Sequence, residues 1–486
     1  PPLPPPPPAK SINWWLILLI LLGLLFLFGF IWNLRNCPSC DQMNRGEVWS
    51  PSLGEVVVNP LPDRLPETPN VQPPFSEDDI IEMPDQGGSV IAGRLNVAMM
   101  SDDHDFASFM LEVDDLLPSS DYELVYWDPQ TRRVQVVCEP DSMEVLKHLV
   151  KSSLDDYNVL TWPERIFRIS QSNQDDNYWP ESLDHDWHLN QIGVVDIVMD
   201  NIYADTSISI AIVDEEFDLD HIDFTKNYSD PYNVRSHSDI ITSKSSHIGH
   251  GTHVSGIATA RGFEVAPRGL AQGCTLIPVQ IGDDFNGDLT TSSLIDGILF
   301  ALNAGADVIN ISIASQFVDI MNWDEQQVIN YYENTLDESL FWRELFLKLY
   351  NLDVTIVLAA GNSAIPLEYD PMHRSVYPVY VCASDPENEL ATFSNYPNQN
   401  NDSMTVVIAP GIDIWSLAPN NNYCVMSGTS MSAPLVASVI ALMKSEYPEI
   451  SNDQIRSDLL SCPPVGESNI PLVWMPSLFN QNELDS

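Results

Sequence analysis

The chain has 486 residues and carries 21 Lys+Arg against 69 Asp+Glu, a formal charge of −48. A polyanion of this size is repelled by nucleic-acid backbone, which argues against a DNA or RNA partner. The hydrophobic fraction of 44% is that of a globular protein, and seven Cys without repeating spacing rule out a disulfide framework.

Residues 1–11 form a Pro-rich, polyproline II-prone arm. From Ile12 to Trp32 the sequence is apolar, with no charge between Lys10 and Arg35. At 1.5 Å per residue this run matches a hydrocarbon core of about 30 Å, and Trp14, Trp15 and Trp32 suit its two interfaces. A transmembrane helix over 12–34 is expected. The run is long and lacks a small-residue cleavage site, so it reads as an uncleaved single anchor. Lys10 before it and Arg35 and Arg45 after it leave orientation open on charge alone.

Residues 35–88 read as a Pro-rich acidic linker; 15 of the chain's 37 prolines fall in the first 75 residues. The Cys37-Pro-Ser-Cys40 pair has no second ligand pair nearby and is assigned no chemistry. Over 89–170 the pattern predicts strands at Arg94–Met100, Tyr122–Tyr126, Arg133–Cys138 and Val159–Trp162 with Ile166–Ile169. Helices are predicted at Phe106–Leu117 and Ser142–Leu149. The order strand, helix, strand, strand, helix, strand is the split βαβ (ferredoxin-like) arrangement of a small α+β domain. Its His148 reads as a surface residue. Residues 171–177 are polar and suit proteolytic nicking.

Beyond 178 the sequence alternates Ile/Val/Leu-rich strands with helices. Strands fall at Ser207–Val213, Cys274–Ile281, Val308–Ile313, Val354–Ala360, Tyr377–Ala383 and Thr405–Ala409, with helical stretches at Leu294–Ala304 and Pro434–Glu446. Such runs predict an α/β fold with a mainly parallel sheet covered on both faces, over 178–464, followed by a tail over 465–486.

Three polar segments end or interrupt these runs. Asp214 closes an apolar strand, where α/β folds place functional groups, although a strand-terminal Asp is commonly a turn former. His250 and His253 lie three apart without the Glu that a zinc motif needs, so a general base is the alternative to a metal site. Ser430 precedes an apolar helix, where unpaired N–H groups favour an oxyanion but a simple N-cap is common. The order Asp, His, Ser, separated by 36 and 180 residues, matches one of three known triad orders.

With Ala211-Ile-Val-Asp214, His250-Gly-Thr-His-Val-Ser-Gly256, Ala359-Ala-Gly-Asn362 and Gly428-Thr-Ser-Met-Ser-Ala-Pro434, the chain from about Trp187 to Cys462 resembles a subtilisin-like serine peptidase. Weaker matches are Trp187-His-Leu-Asn-Gln-Ile-Gly193, Val308-Ile-Asn-Ile-Ser312 and Ala409-Pro-Gly-Ile-Asp-Ile-Trp-Ser416. The resemblance implies a subtilisin-like three-layer fold, a triad of Asp214, His250 and Ser430, and an oxyanion donor in Asn362; His253 is implied to be structural. It implies polypeptide substrates paired with Ser312, Ile313 and Ala314, and a pocket wall at Ala360 and Gly361. No cofactor is implied for the chemistry. Structural calcium is implied only weakly, through Asp223, because Arg261 and Phe263 stand where the facing loop should offer oxygen. The acid-rich loop 283–288 is an alternative ion site or a turn. Residues 89–170 are implied to be a propeptide that inhibits through its C-terminal end, with self-cleavage between about Ile169 and Tyr178.

Several features depart from the family pattern. Ala314 and Ser315 replace glycines and add side chain beside the cleft. Glu215 and Glu216 follow Asp214; they are expected to be solvated, the alternatives being a raised His250 pKa or attraction of cationic substrates. Residues 315–352, rich in aromatics and acids, are expected to add a helix packing on the domain, a partner-binding surface being the alternative. The whole reads as a self-inhibited, membrane-anchored serine endopeptidase with its catalytic part outside the cytoplasm. A catalytically weak, tethered peptide-binding or regulatory pseudoprotease is the alternative. A kexin-like convertase is disfavoured by Asn at 362.

Overall fold

Alternating side chains on apolar strands place one half of each strand on either face of a central sheet, and two different helical layers cover those faces. The computed structural model describes residues 74–83, 88–117, 121–167, 186–194, 205–241, 249–262, 268–282, 289–315, 317, 320–398 and 403–479, with the backbone of strands at 47–50 and 55–58. The anchor 12–34, the Pro-rich arm, Cys37, Cys40, the segment 171–177 and the loop 283–288 lie outside the described residues. Among the described residues, no helix is long and apolar enough to cross a membrane.

The first folded unit comprises β1 (Ile80–Met83), β2 (Gly88–Met99), α1 (Phe106–Leu116), β3 (Tyr122–Asp128), β4 (Arg133–Cys138), α2 (Met143–Ser153) and β5 (Val159–Phe167). Its strands order as β5-β2-β4-β3, the split βαβ order, with β1 pairing β2. The stretch assigned to a linker is therefore ordered in part: β1 joins the sheet at Ile80↔Ile91, and Glu47–Ser50 pairs antiparallel with Glu55–Val58. One sheet face, with Leu95, Val97, Val134 and Val136, packs under Phe106, Phe109, Met110, Leu146 and Val150 of the two helices. Asp105 starts α1 by accepting the Ser108 N–H at 2.9 Å.

The second unit is built on seven parallel strands: β6 (Ser209–Asp214), β7 (Tyr232–Asn233), β8 (Thr275–Gln280), β10 (Val308–Ile311), β11 (Thr355–Ala359), β12 (Val379–Ser384) and β13 (Thr405–Pro410). They order as β13-β12-β11-β10-β6-β8-β7; β9 (Leu289–Thr290) instead pairs antiparallel with β5. Ile210 and Ile212 of β6 face α3 (His250–Thr259) and α7 (Thr429–Glu446); Ala211 and Val213 face α4 (Thr291–Asn303) and α6 (Leu336–Asn351). The segment expected to add one helix holds two, α5 (Glu325–Asn334) and α6. Asp324 caps α5 in a box with Gln327, and Thr335 separates the pair. Cys382 lies in the core at 0% exposure, and burial pushes its thiol up to about 12.

The two units share one apolar cluster that joins Leu160, Trp162 and Phe167 to Leu294, Phe341 and Leu345. The same face of the small sheet, with Leu160 and Trp162, also carries polar groups buried against α4. Glu164 accepts the Ser292 N–H at 2.9 Å in the first turn of α4, and Arg133 donates to Ser292 Oγ at 2.6 Å. His148 is exposed on α2.

Candidate active site

Strand β6 lies between β8 on one side and β10 on the other, although both follow it in sequence. The connection from β6 runs to β8 on one side and that from β8 returns to β10 on the other, which opens a crevice at the C-terminal edge of the sheet. Asp214 is the last residue of β6 and is 0% exposed. Its Oδ1 and Oδ2 accept from His250 Nδ1 at 2.8 and 3.0 Å. A carboxylate at this spot offers only acceptors, so Nδ1 carries the proton and Nε2 is the basic nitrogen. Burial by itself pushes the imidazolium down. The Asp214 charge and hydrogen bond, with Glu215 behind them, outweigh it and hold the His250 pKa above its ordinary value.

His250 opens α3, and Ser430 is the second residue of α7. Pro434 lies within α7 and has no N–H to give the Ser430 carbonyl one turn earlier. Ser312 supplies the missing donor: its Oγ donates to Ser430 O at 3.0 Å, and Ser430 Oγ donates back to Ser312 O at 3.1 Å. The two residues are 118 apart in sequence.

Asn362 follows the end of β11. Its Oδ1 accepts from the Thr429 N–H at 2.9 Å and from Thr429 Oγ1 at 3.0 Å. That orientation presents Nδ2 beside Gly428, where a Cβ would come within 3.2 Å of it. The same Thr429 hydroxyl accepts the Gly361 N–H at 3.0 Å. Gly361 has φ +100°, and a Cβ there would sit 2.4 Å from Asn395 Nδ2, so the position is closed to side chains. Asn395 stands outside every motif of the sequence. Its Nδ2 donates to Ala360 O at 2.9 Å and its Oδ1 accepts from the Ser363 N–H at 2.9 Å, fixing the loop that carries Asn362. An isolated polar residue so far beyond Asn362 in sequence leaves no local signal of that role.

The remaining candidates divide. Ser312, Ala360 and Gly361 are buried around Ser430 and Asn362, and Ala314 lies against Gly361, 3.3 Å from the place of its missing Cβ. Ile313 turns into the core at 2% exposure. Ser315 is buried, with its N–H donated to Asp370 Oδ2 at 2.7 Å. His253 is 0% exposed and holds the carbonyls of Ile414 and Cys424 through Nε2. Burial drives its pKa to about 3, so it remains neutral and structural.

Glu216 is buried and Glu215 is half-buried with one carboxylate oxygen enclosed, contrary to the solvation expected from sequence. A Cβ on Gly251 would meet Glu216 O at 2.4 Å and one on Gly282 would meet Glu215 O at 2.6 Å, so this turn is pressed between α3 and the end of β8. Glu216 is 4% exposed. Burial first, and the charges of Asp214 and Glu216 after it, raise the Glu215 carboxyl to about 7 against the pull of His250.

Asp223 is buried. Arg261 donates its N–H to Asp223 O at 3.0 Å and Nη1 to Ile222 O at 3.5 Å. Among the described residues, no group of three or more His, Cys, Asp or Glu can hold a metal. Part of the facing loop, residues 263–267, lies outside the described set.

A parallel α/β sheet with this Asp–His pair and helix-borne Ser at its C-terminal edge belongs to the class of subtilisin-like serine peptidases. The chain is a member of the subtilase family, whose sequence pattern matches residues 205–462, more than half of its length. It is 31% identical over 249 residues to a thermophilic serine proteinase of Bacillus sp. (strain AK1), covering 49% of this chain and 52% of that one. To subtilisin DY of Bacillus licheniformis it is 30% identical over 222 residues, covering 44% and 69%. The chain thus spans about half the length of the first of these relatives. Among solved structures, fervidolysin from Fervidobacterium pennivorans, a keratinolytic enzyme related to subtilisin, gives a TM-score of 0.59 at 20% identity, covering 82% of this chain and 64% of that one. The epidermin leader peptide processing serine protease of Staphylococcus aureus gives 0.58 at 20% identity, covering 80% and 98%. These likenesses are of fold, and they extend beyond residues 205–462.

Proposed function

We propose that the chain is a membrane-anchored serine endopeptidase made as a self-inhibited precursor. The observation that carries the reading is the Asp214–His250 pair at 2.8 Å at the end of β6, with Ser430 in the first turn of α7 bonded to Ser312 O just past the neighbouring β10 and Asn362 bonded to Thr429. Ser430 Oγ attacks the scissile carbonyl as its proton, released from Ser312 O, passes to His250 Nε2. His250 then protonates the leaving amine, and water releases the acyl group by the reverse sequence. Asp214 keeps Nδ1 protonated and stabilises the imidazolium. Asn362 Nδ2 and the Ser430 backbone N–H serve the developing oxyanion, which the N-terminus of α7 also favours. The polypeptide substrate pairs as an added strand along 312–314, with Ala360 and Gly361 walling the first pocket.

The unit ending at β5 acts as inhibitor, and self-cleavage falls within about 169–178. Support comes from its buried contact with α4, and from β5 pairing with β9 of the peptidase unit at Phe167↔Leu289. Residues 12–34 anchor the protein, with the catalytic part outside the cytoplasm; protease accessibility in intact cells tests this. A fluorophosphonate probe is expected to label the processed protein and not Ser430→Ala. Absence of labelling after removal of the small unit would overturn the enzyme reading. Accumulation of the same shortened product by Ser430→Ala expressed alone would overturn self-cleavage.

A further inference from the structure

Adjacent residues of β5 point to different walls. Glu164 meets α4, whereas Arg165 meets α6, the second helix of the 315–352 segment. Arg165 and Glu338 are each 1% exposed. Arg165 Nε donates to Glu338 Oε1 at 3.1 Å and Nη2 to Oε2 at 2.6 Å, a fork-to-fork pair spanning 173 residues. Asp370 and Tyr331 also bear on the guanidinium charge. Around this pair the Thr161 N–H donates to Asp337 Oδ2 at 2.9 Å, Lys151 Nζ lies 2.5 Å from the same oxygen, and the Trp162 ring lies 4.5 Å from Phe341.

We propose that Glu338 of α6 is the specificity determinant by which the peptidase unit selects its own small unit, through an arginine at position 165. The proposal rests on reading that unit as an inhibitor. Two charges leave water to make this contact, and their attraction repays the desolvation only in good geometry. The pair therefore contributes selectivity above all. An apolar residue at 165 leaves the Glu338 carboxylate buried and unpaired, and a lysine brings the charge without the planar fork. A peptidase unit so equipped holds its own inhibitor and rejects one lacking the arginine.

The test is a double-mutant cycle in the full-length Ser430→Ala protein, read by hydrogen exchange of the β5 amides. Arg165→Met and Glu338→Met are each expected to lower protection by roughly 10²–10³-fold, the range for breaking one half of a buried pair. The double variant, with an apolar contact on both sides, is expected to recover most of the loss and also serves as the control for folding. Arg165→Lys should resemble the single Met variants. Losses that simply add in the double variant, unchanged protection in the singles, or Arg165→Lys behaving as wild type would each overturn the proposal. The background has no nucleophile, so these outcomes are independent of the peptidase reading, which the probe experiment addresses separately.

Discussion

Replacing Glu215 by Gln removes a carboxyl that folding holds near pKa 7, against an ordinary 4.5, chiefly because it is buried beside Asp214 and Glu216. A folded pKa above the unfolded one means that the native chain keeps a proton which the unfolded chain has already released. The resulting cost to stability is absent below about pH 4.5, grows as pH rises from there to about 7, and is complete above it. At 1.36 kcal/mol per unit the shift corresponds to on the order of 3 kcal/mol at pH 8. Urea unfolding of full-length Ser430→Ala, with and without Glu215→Gln, measured at steps from pH 4 to 8.5 through tryptophan fluorescence, reads the difference directly. The Gln variant is expected to gain on wild type progressively between pH 4.5 and 7 and then level off. A stability difference that does not change with pH would refute the burial argument. In the active protein the same substitution removes one of the charges that raise the His250 pKa, so the acidic limb of kcat/KM should move to lower pH.

Asn362→Ala, assayed on a peptide substrate, is expected to lower kcat by about 10²–10³-fold with little change in KM, the range known for the corresponding donor in subtilisin; a purely KM effect would contradict the oxyanion role. Gly361→Ala forces a side chain against Asn395 at φ +100°, and should cost about 1–3 kcal/mol in urea unfolding together with activity; unchanged stability would show that the Asn395 clamp yields.

Local pattern carried much of this protein. Continuous apolar runs announced the parallel strands because both sheet faces are covered, and strand–helix alternation announced the split βαβ unit. Asp214, His250, Asn362 and Ser430 were legible because each stands inside a short motif at the end of an element. The strand β1 was not, since four residues after a Pro-rich stretch acquire their meaning only from the long partner β2.

What remained depended on residues far apart in sequence. The exchange of hydrogen bonds between Ser312 and Ser430, the support of Gly361 by Asn395 and the burial of Glu215 against Gly282 each depend on a neighbour that tertiary folding brings in. So does the pairing of Arg165 with Glu338, on two units whose sequences give no sign of contact. Periodicity and motif spacing report how a segment will fold and which groups it will present. Solvent exclusion and the partner of a buried polar group are properties of the packed chain, so the raised pKa of Glu215 and the packing of the 315–352 helices emerge only there.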